Sequence, residues 1–122
     1  MPQTIGKVEH KSLNAPDEVR TFEKGRVELV TVDGVSIGRA TFEPGWKWST
    51  CVGPIAKTSS CEMAHFGYQI SGVLVTRMDD GTETATRPGD VVLIPPGHDA
   101  WVEGNQNVVV IDWHGMTNYA KK

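Results

Sequence analysis

Residues 87–101, Arg-Pro-Gly-Asp-Val-Val-Leu-Ile-Pro-Pro-Gly-His-Asp-Ala-Trp, carry the strongest indication of the fold. Gly89 allows a tight turn because it has no Cβ to clash at positive φ. The four apolar residues 91–94 are typical of a short strand that crosses a core. The Pro-Pro-Gly sequence at 95–97 ends that strand, since proline cannot donate to a sheet ladder. We therefore predict two short strands with a sharp bend between them.

The same alternation of short apolar runs and turn residues continues along the chain. From residue 26 onward, runs rich in Val, Ile, Thr and Phe are bounded by Gly, Pro or Asp at intervals of roughly ten residues, which indicates an all-β sandwich or barrel. Asp33-Gly34 and Asp80-Gly81 supply the positive φ angles that tight hairpin turns require. Residues 46–52 are predicted to be a further strand and residues 53–60 the longest loop. We expect about eight strands, the number in a jelly roll.

Two parts of the chain differ in character. Residues 1–26 are polar and irregular, and we interpret them as an N-terminal arm laid over the domain, with room for one short edge strand. Residues 27–122 are predicted to form a single barrel domain, because neither a linker nor an internal repeat divides them.

Composition narrows the class of protein. The chain has 122 residues and a net charge of -3, without a run of basic residues that could follow a phosphate backbone, which argues against a nucleic-acid partner. The sequence has no signal-like apolar region and no stretch near the roughly 20 apolar residues that cross a bilayer. We therefore expect a cytoplasmic protein with no membrane association.

Cys51 and Cys61 are the two cysteines of the chain, too few for a disulfide framework. In a reducing compartment we expect free thiols unless they bind metal. A disulfide or redox pair between them is a weaker alternative, since their spacing is not a recognised reactive arrangement.

Residues 87–101 resemble the second sequence motif of the cupin superfamily. Gly89, Pro95 and Gly97 fit the family's spacing of Gly, five residues, Pro, one residue and Gly. The family's histidine falls three residues after that last glycine, at Ala100 here, whereas this chain has His98 directly after Gly97.

Residues 59–72, SSCEMAHFGYQISG, resemble the end of the first cupin motif, in which two histidines and a glutamate precede a glycine. His65 stands in the family's glutamate position, and Cys61 and Ser59 stand in the histidine positions. The resemblance covers roughly residues 38–113 and extends to small single-domain bacterial cupins. It implies a double-stranded β-helix, or jelly-roll barrel, with a small-molecule site at its mouth and an altered set of metal ligands.

Cys61, His65 and His98 are the predicted metal ligands. Thiolate and imidazole suit Zn²⁺, with Ni²⁺, Fe²⁺ and Co²⁺ as alternatives, and three protein ligands leave one position for water or substrate. A second interpretation stays open, in which Cys61 is a small buried apolar residue, His65 a hydrogen-bonded barrel residue and His98 a turn residue, with no metal.

Other polar and aromatic residues are candidates for the pocket. Asp99 and Tyr68 are candidates for moving protons, although an aspartate after Pro-Pro-Gly also commonly caps backbone N–H groups. Asp112 and His114 share one face of the last predicted strand and would line the pocket if that face is turned inward. The predicted ligand-pocket residues are Trp48, Gln69 and Trp101, for which core packing is the alternative role.

Two functions from different classes fit these residues. The first is a metal-dependent enzyme on a small polar organic molecule; cupins that resemble this chain include isomerases, lyases, decarboxylases and dioxygenases. Thiolate ligation favours a non-redox, zinc-like site, and hence an isomerase or lyase. The second is a metal-free module that binds or senses a small metabolite. We also expect a homodimer to which residues 1–26 contribute, because a barrel this small leaves edge strands exposed.

Overall fold

Nine strands and two single-turn helices make up the structure, a computed structural model that describes residues 6–121. The helices are α1 (Trp48–Cys51) and α2 (Gly53–Ala56). The strands are β1 (Glu18–Phe22), β2 (Gly25–Val32), β3 (Val35–Phe42), β4 (His65–Ser71), β5 (Val73–Met78), β6 (Glu83–Thr86), β7 (Val91–Ile94), β8 (His98–Glu103) and β9 (Val108–His114).

The strands form two antiparallel sheets that enclose one core. The larger sheet has the order β1-β2-β3-β9-β4-β7, and the smaller has the order β6-β5-β8. Every strand pairing is antiparallel, and β9 crosses from the end of the chain into the middle of the larger sheet. The all-β jelly-roll prediction is confirmed, with nine strands rather than about eight.

The turn chemistry of the sequence places the strands correctly. Asp33 has a φ of 50° and Gly34 a φ of 77°, which is the pair of positive angles of a type I′ turn. The strands on either side pair in register from Val32 opposite Val35 back to Gly25 opposite Phe42. The strand predicted before this turn begins two residues earlier, at Gly25, and β1 pairs with it inside the segment interpreted as the arm.

The prediction of a strand over residues 46–52 is wrong. Lys47 makes an isolated bridge to Trp101, and the chain then turns into α1 and α2. Trp46 and Trp48 are buried two residues apart, as in a strand, but the next buried residue is Cys51, at helical spacing. The Asp99 carboxylate on β8 accepts a hydrogen bond from the Ser49 N–H at 3.0 Å, so a distant residue caps the first turn.

Leu13 and Asn14, in the described part of the predicted N-terminal arm, lie against one half of the larger sheet, and residues 1–5 of that arm lie outside the described residues. The Arg39 guanidinium on β3 donates hydrogen bonds to the Leu13 carbonyl and the Asn14 side chain, at 3.2 and 3.1 Å. It also pairs with Glu28 on β2 at 3.0 Å. The arm and the outer face of β2 and β3 are therefore held together by polar contacts.

The segment after β9 is held by one buried arginine. Arg20 on β1 donates hydrogen bonds to the carbonyls of Met116, Thr117 and Tyr119, at 3.0, 2.7 and 2.8 Å. The side chains of Met116 and Tyr119 are buried in the core. Buried carbonyls need a hydrogen-bond donor, and the Arg20 guanidinium supplies it. This irregular segment can therefore be buried against the barrel core without unpaired backbone groups at these three positions. Of the helices in residues 6–121, none has the length and apolar character needed to cross a membrane.

Replacement of Arg20 by Ala should lower the free energy of unfolding by about 2–4 kcal/mol, because buried carbonyls lose their charged donor. Arg26→Ala is the matched control: that side chain is 51% exposed, with its guanidinium 3.7 Å from Glu28, and its loss should cost less than about 0.5 kcal/mol. Urea denaturation of both variants measures the difference. Equal losses would mean that Arg20 does not hold the segment.

Candidate metal centre

Cys61 and His98 are neighbours on paired backbones. The Cys61 N–H donates to the His98 carbonyl at 2.7 Å, and the Gly97 N–H donates to the Cys61 carbonyl at 2.8 Å, forming an isolated antiparallel bridge. Side chains directly opposite in such a pair have Cβ atoms about 5 Å apart. The Pro-Pro-Gly bend therefore brings His98 next to a cysteine that lies 37 positions earlier in the sequence.

One nitrogen of the His98 ring is hydrogen-bonded to the backbone. Its Nδ1 lies 2.7 Å from the Pro95 carbonyl oxygen, which can only accept, so Nδ1 carries the proton. The remaining nitrogen, Nε2, is left with a lone pair, as in metal-binding histidines. His98 is buried inside the barrel, and Ala100, where cupins have their histidine, is buried two residues further along the strand.

The His65 ring is fixed in the same way by an aspartate. His65 Nδ1 lies 2.8 Å from Asp112 Oδ2, and both residues are buried. The other oxygen of Asp112 accepts from the His114 N–H at 2.9 Å, so the carboxylate is itself held in place. His65 Nε2 is then directed at the Cys61 sulfur, at 3.5 Å.

Gly115 lets the chain pass close to this histidine. Its φ of 102° favours glycine, and a Cβ there would lie 3.0 Å from His65 Nδ1 and would collide with the Ala64 carbonyl. Any other residue at 115 would displace the ring or the backbone beside it.

The three predicted ligands converge. One ligand atom each of Cys61, His65 and His98 lies within 4.8 Å of the other two, so these residues could hold a metal ion. In a tetrahedral zinc site, with Zn–S about 2.3 Å and Zn–N about 2.0 Å, a sulfur and a nitrogen ligand lie roughly 3.5 Å apart. The 3.5 Å between Cys61 Sγ and His65 Nε2 matches that spacing.

The proton equilibria of Cys61 and His65 are coupled. Burial by itself would raise the pKa of the Cys61 thiol, but the hydrogen bond and positive charge of His65, together with the contact with His98, outweigh it and lower the pKa from 9.0 to about 6. Burial by itself would lower the pKa of His65, but Asp112 and Cys61 outweigh it and raise the pKa from 6.5 to about 9. At neutral pH the sulfur is therefore a thiolate, the form that binds metals.

The cluster separates two cavities. His65 and His98 line an inner cavity of about 60 Å³, whose other walls include the aromatic rings of Phe42, Trp46 and Trp48. Cys61 instead lines an outer cavity of about 250 Å³ on the other side. Tyr119 contributes to both cavities and lies edge-on to His65, with ring centroids 5.4 Å apart. The C-terminal segment therefore covers the cluster.

Two of the predicted ligand-pocket residues line the inner cavity. Trp48 does so beside Trp46, and each indole N–H is buried without a hydrogen-bond partner among the described residues. Gln69 also lines it, but its amide nitrogen donates to the Gly72 and Thr86 carbonyls, at 2.8 and 2.9 Å. Its amide oxygen accepts from the Thr86 hydroxyl at 2.6 Å, so most of its hydrogen-bonding capacity is used within the fold.

The structure places Trp101 and Asp99 away from the inner cavity, whereas Tyr68 borders it although its side chain is largely on the outside of the sheet. Trp101 alternates with the inward-facing residues of β8 and packs against Lys47, whose ammonium lies 5.5 Å from the ring centroid. Asp99 accepts from the Ser49 and Ala100 N–H groups, which is the capping arrangement. Tyr68 lies on the outer face of β4 and is 41% exposed. Catalytic roles for Asp99 and Tyr68 stay predictions.

Sequence reasoning did not find the roles of Asp112, Met116 and Tyr119. Asp112 was expected only as a pocket residue sharing a face with His114, but a bulge between β4 and β9 leaves His114 exposed while Asp112 is buried against His65. No local pattern marks Met116 or Tyr119, because their positions depend on the contacts of Arg20. Cys51 is buried and, like Cys61, is a free thiol.

In the metal-free protein, the ultraviolet absorbance of the Cys61 thiolate should appear with a midpoint near pH 6. A Cys51→Ala background removes the second thiol from the signal. His65→Asn in that background should move the midpoint well above 6. Burial raises the pKa of the thiol, and the variant lacks the positive charge that stabilises the thiolate. An unchanged midpoint would show that His65 does not stabilise the thiolate.

No protein-family model matches this chain, and no curated protein matches it in sequence. Solved structures are similar in fold. An RmlC-like cupin from Shewanella frigidimarina is 13% identical, with a TM-score of 0.58 over 91% of this chain and 96% of that one.

Two further structures are a cupin-like protein from Thermotoga maritima and KdgF from a Halomonas species. The first is 18% identical, with a TM-score of 0.54 over 80% of this chain and 73% of that one. The second is 16% identical, with a TM-score of 0.52 over 73% and 76%. Together with the two antiparallel sheets and the enclosed Cys-His-His cluster, these similarities show that the chain has the fold of a small bacterial cupin.

Proposed function

We propose that the protein binds a divalent metal ion, preferentially zinc, through Cys61, His65 and His98, and uses it to hold a small polar organic ligand. The observation that carries the proposal is the orientation of the two histidine rings. Asp112 and the Pro95 carbonyl each occupy an Nδ1, which leaves both Nε2 atoms for the same point beside the Cys61 sulfur. An acceptor on one ring nitrogen, with the other nitrogen directed at a common point, is typical of histidines that bind a metal.

The donor set supports zinc over the alternatives. A thiolate with two imidazoles is a combination that zinc accepts in sites with an open fourth position. Bound there, the metal would supply a Lewis acid for a carbonyl, hydroxyl or carboxylate oxygen. Nickel, iron and cobalt bind similar ligands, so metal preference is part of the test.

The chain's own residues would orient and enclose the ligand. The inner cavity is mainly apolar and, at about 60 Å³, has room for a compact group. Trp46 and Trp48 border it with unpartnered indole N–H groups, and a buried donor left unpaired costs about 1–3 kcal/mol, which an accepting ligand would recover. Tyr119 and Met116 exclude water from this side of the cluster.

Isomerase or lyase chemistry is the enzymatic form of this proposal. It needs a group that moves a proton, and the buried Tyr119 phenol, whose ring lies 5.4 Å from that of His65, is a candidate beside Asp99, which caps α1, and the exposed Tyr68. Burial and the nearby charges of Cys61 and Asp112 raise the pKa of Tyr119, so it would act as an acid. The engagement of Asp99 in capping favours a second candidate function, a binding or sensing cupin without catalysis.

Freshly purified, untagged protein should contain about one equivalent of metal, and His65→Ala should lose it together with the metal-dependent rise in melting temperature. His114→Ala is the matched control, because His114 is an exposed histidine on the strand that carries Asp112. Elemental analysis and thermal unfolding with and without chelator measure both effects. A wild-type protein that neither contains nor takes up zinc, or a His65→Ala variant that keeps its metal, would contradict the proposal.

Asp112→Asn should weaken zinc binding about 10–100-fold without abolishing it, since the amide can still hold the ring but no longer supports the basicity of the ligand. Competition with a chelator of known affinity gives the constant for both proteins. Wild-type affinity in the variant would show that the His65–Asp112 bond serves the fold alone.

A further inference from the structure

One outer face of the larger sheet is apolar and uncovered. Nine large apolar residues are substantially exposed in the described chain, and six of them lie on β4, β7 and β9. These six, called the β4–β7–β9 face below, are Phe66, Tyr68, Ile70, Val91, Leu93 and Trp113. The other three, Val8, Val19 and Val35, are scattered singly, as is ordinary on a protein surface.

Strand register makes the six residues one continuous patch. Phe66 is opposite Leu93 and Tyr68 is opposite Val91, so these four side chains point to the same side of the sheet. Ile70 follows Tyr68 on that side by alternation. Trp113 joins the patch through an edge-to-face contact with Phe66, with ring centroids 5.3 Å apart.

The strand at the border of this face lacks the protection that the other edges have. Four strands lie at sheet edges, and β1, β6 and β8 each carry acidic residues: Glu18, Glu83, and the pair Asp99 and Glu103. The fourth, β7, reads Val-Val-Leu-Ile and carries no charge. Exposed edges without charges are open to pairing with other chains unless something covers them.

The two halves of the outer surface differ in what covers them. On β2 and β3, Arg39 fixes the chain's own arm through Leu13 and Asn14. On β4, β7 and β9, the single Asp, Glu, Lys or Arg is Asp112, which is buried against His65, and the exposed His114 stands at the end of β9. This second half has the composition of a surface that another protein surface covers.

The area of the face fits a dimer of standard size. With about 200 Å² for a large apolar side chain, the six exposed fractions, which range from 37 to 68%, amount to roughly 600 Å² of apolar surface. Interfaces are about 60% apolar, so a complete contact around this patch would bury roughly 1,000 Å² on each partner. Stable dimers typically bury about 800 Å² on each side.

We propose that the β4–β7–β9 face is where a second copy of this chain docks, in a two-fold symmetric contact centred on Leu93, Phe66 and Tyr68. A self-complementary contact suits an uncharged apolar face, because two copies that each carry a net charge of -3 meet without placing like charges together. The inference goes beyond the metal site and does not depend on it.

Sedimentation velocity of the full chain at several concentrations tests the proposal. The wild-type protein should sediment as a dimer of the 13.3 kDa chain. Leu93→Lys should weaken association at least about tenfold and shift the mass to the monomer at the same concentration, because a lysine would be buried in an apolar contact. Val91→Lys, on the same strand, serves as a second variant if Leu93→Lys does not fold.

Val19→Lys is the matched control. Val19 is 51% exposed on β1, the opposite edge of the same sheet, and this variant should remain a dimer. Melting temperatures close to that of the wild type establish that the variants are folded. The proposal fails if the wild-type protein is a monomer, if folded lysine variants at 91 and 93 remain dimers, or if Val19→Lys alone dissociates, which would place the interface on the arm.

Discussion

The hydrogen bond between Asp112 and His65 is the contact on which the site depends. It joins β9 to β4 at the bulge where the two strands change register, and it determines which nitrogen of His65 remains available. It also supports the imidazolium that holds Cys61 as a thiolate in the absence of metal. The same aspartate therefore serves the closure of the barrel and the chemistry of the cluster. Breaking this contact would leave a buried carboxylate without its charged partner, a costly outcome in a barrel interior.

Placement of the cluster follows from backbone pairing. The bridge between Cys61 and His98 consists of backbone hydrogen bonds. It places the Cys61 sulfur beside the His98 imidazole without any contact between the two side chains being needed. His65 enters from the first residue of β4, four residues after the cysteine. The cluster therefore forms a wall between an inner cavity enclosed by aromatic rings and an outer cavity beside α2. The sequence resemblance to the first cupin motif aligns Ser59, Cys61 and His65 with two histidines and a glutamate, so the fold is shared while the residue types at these positions differ.

Much of the fold could be predicted because its turns depend on local chemistry. Asp33-Gly34 and the Pro-Pro-Gly bend each restrict the backbone by themselves, so the strands beside them were placed correctly. Residues 46–52 were misjudged because the alternation of Trp46 and Trp48 imitates a strand, while the turn into α1 is stabilised by Asp99, a residue 50 positions from Ser49. The candidate ligands Cys61, His65 and His98 could be proposed from residue type and from the spacing of the cupin motifs. The orientation of their rings could not, since it depends on contacts with Asp112 and Pro95 that only the folded chain creates.

Arg20 couples the opening of the segment after β9 to the opening of β1, because its guanidinium is bonded to that segment. Segments near a terminus ordinarily open by themselves, at a small fraction of the global free energy. Here, however, the carbonyls of residues 116, 117 and 119 accept hydrogen bonds from a side chain of β1, nearly 100 positions away, and Tyr119 is packed on His65. Lifting the cover from the cluster therefore requires the first strand and the last segment to separate as one cooperative unit. The rate at which this segment opens would therefore follow the stability of β1 rather than the fraying of the residues around it.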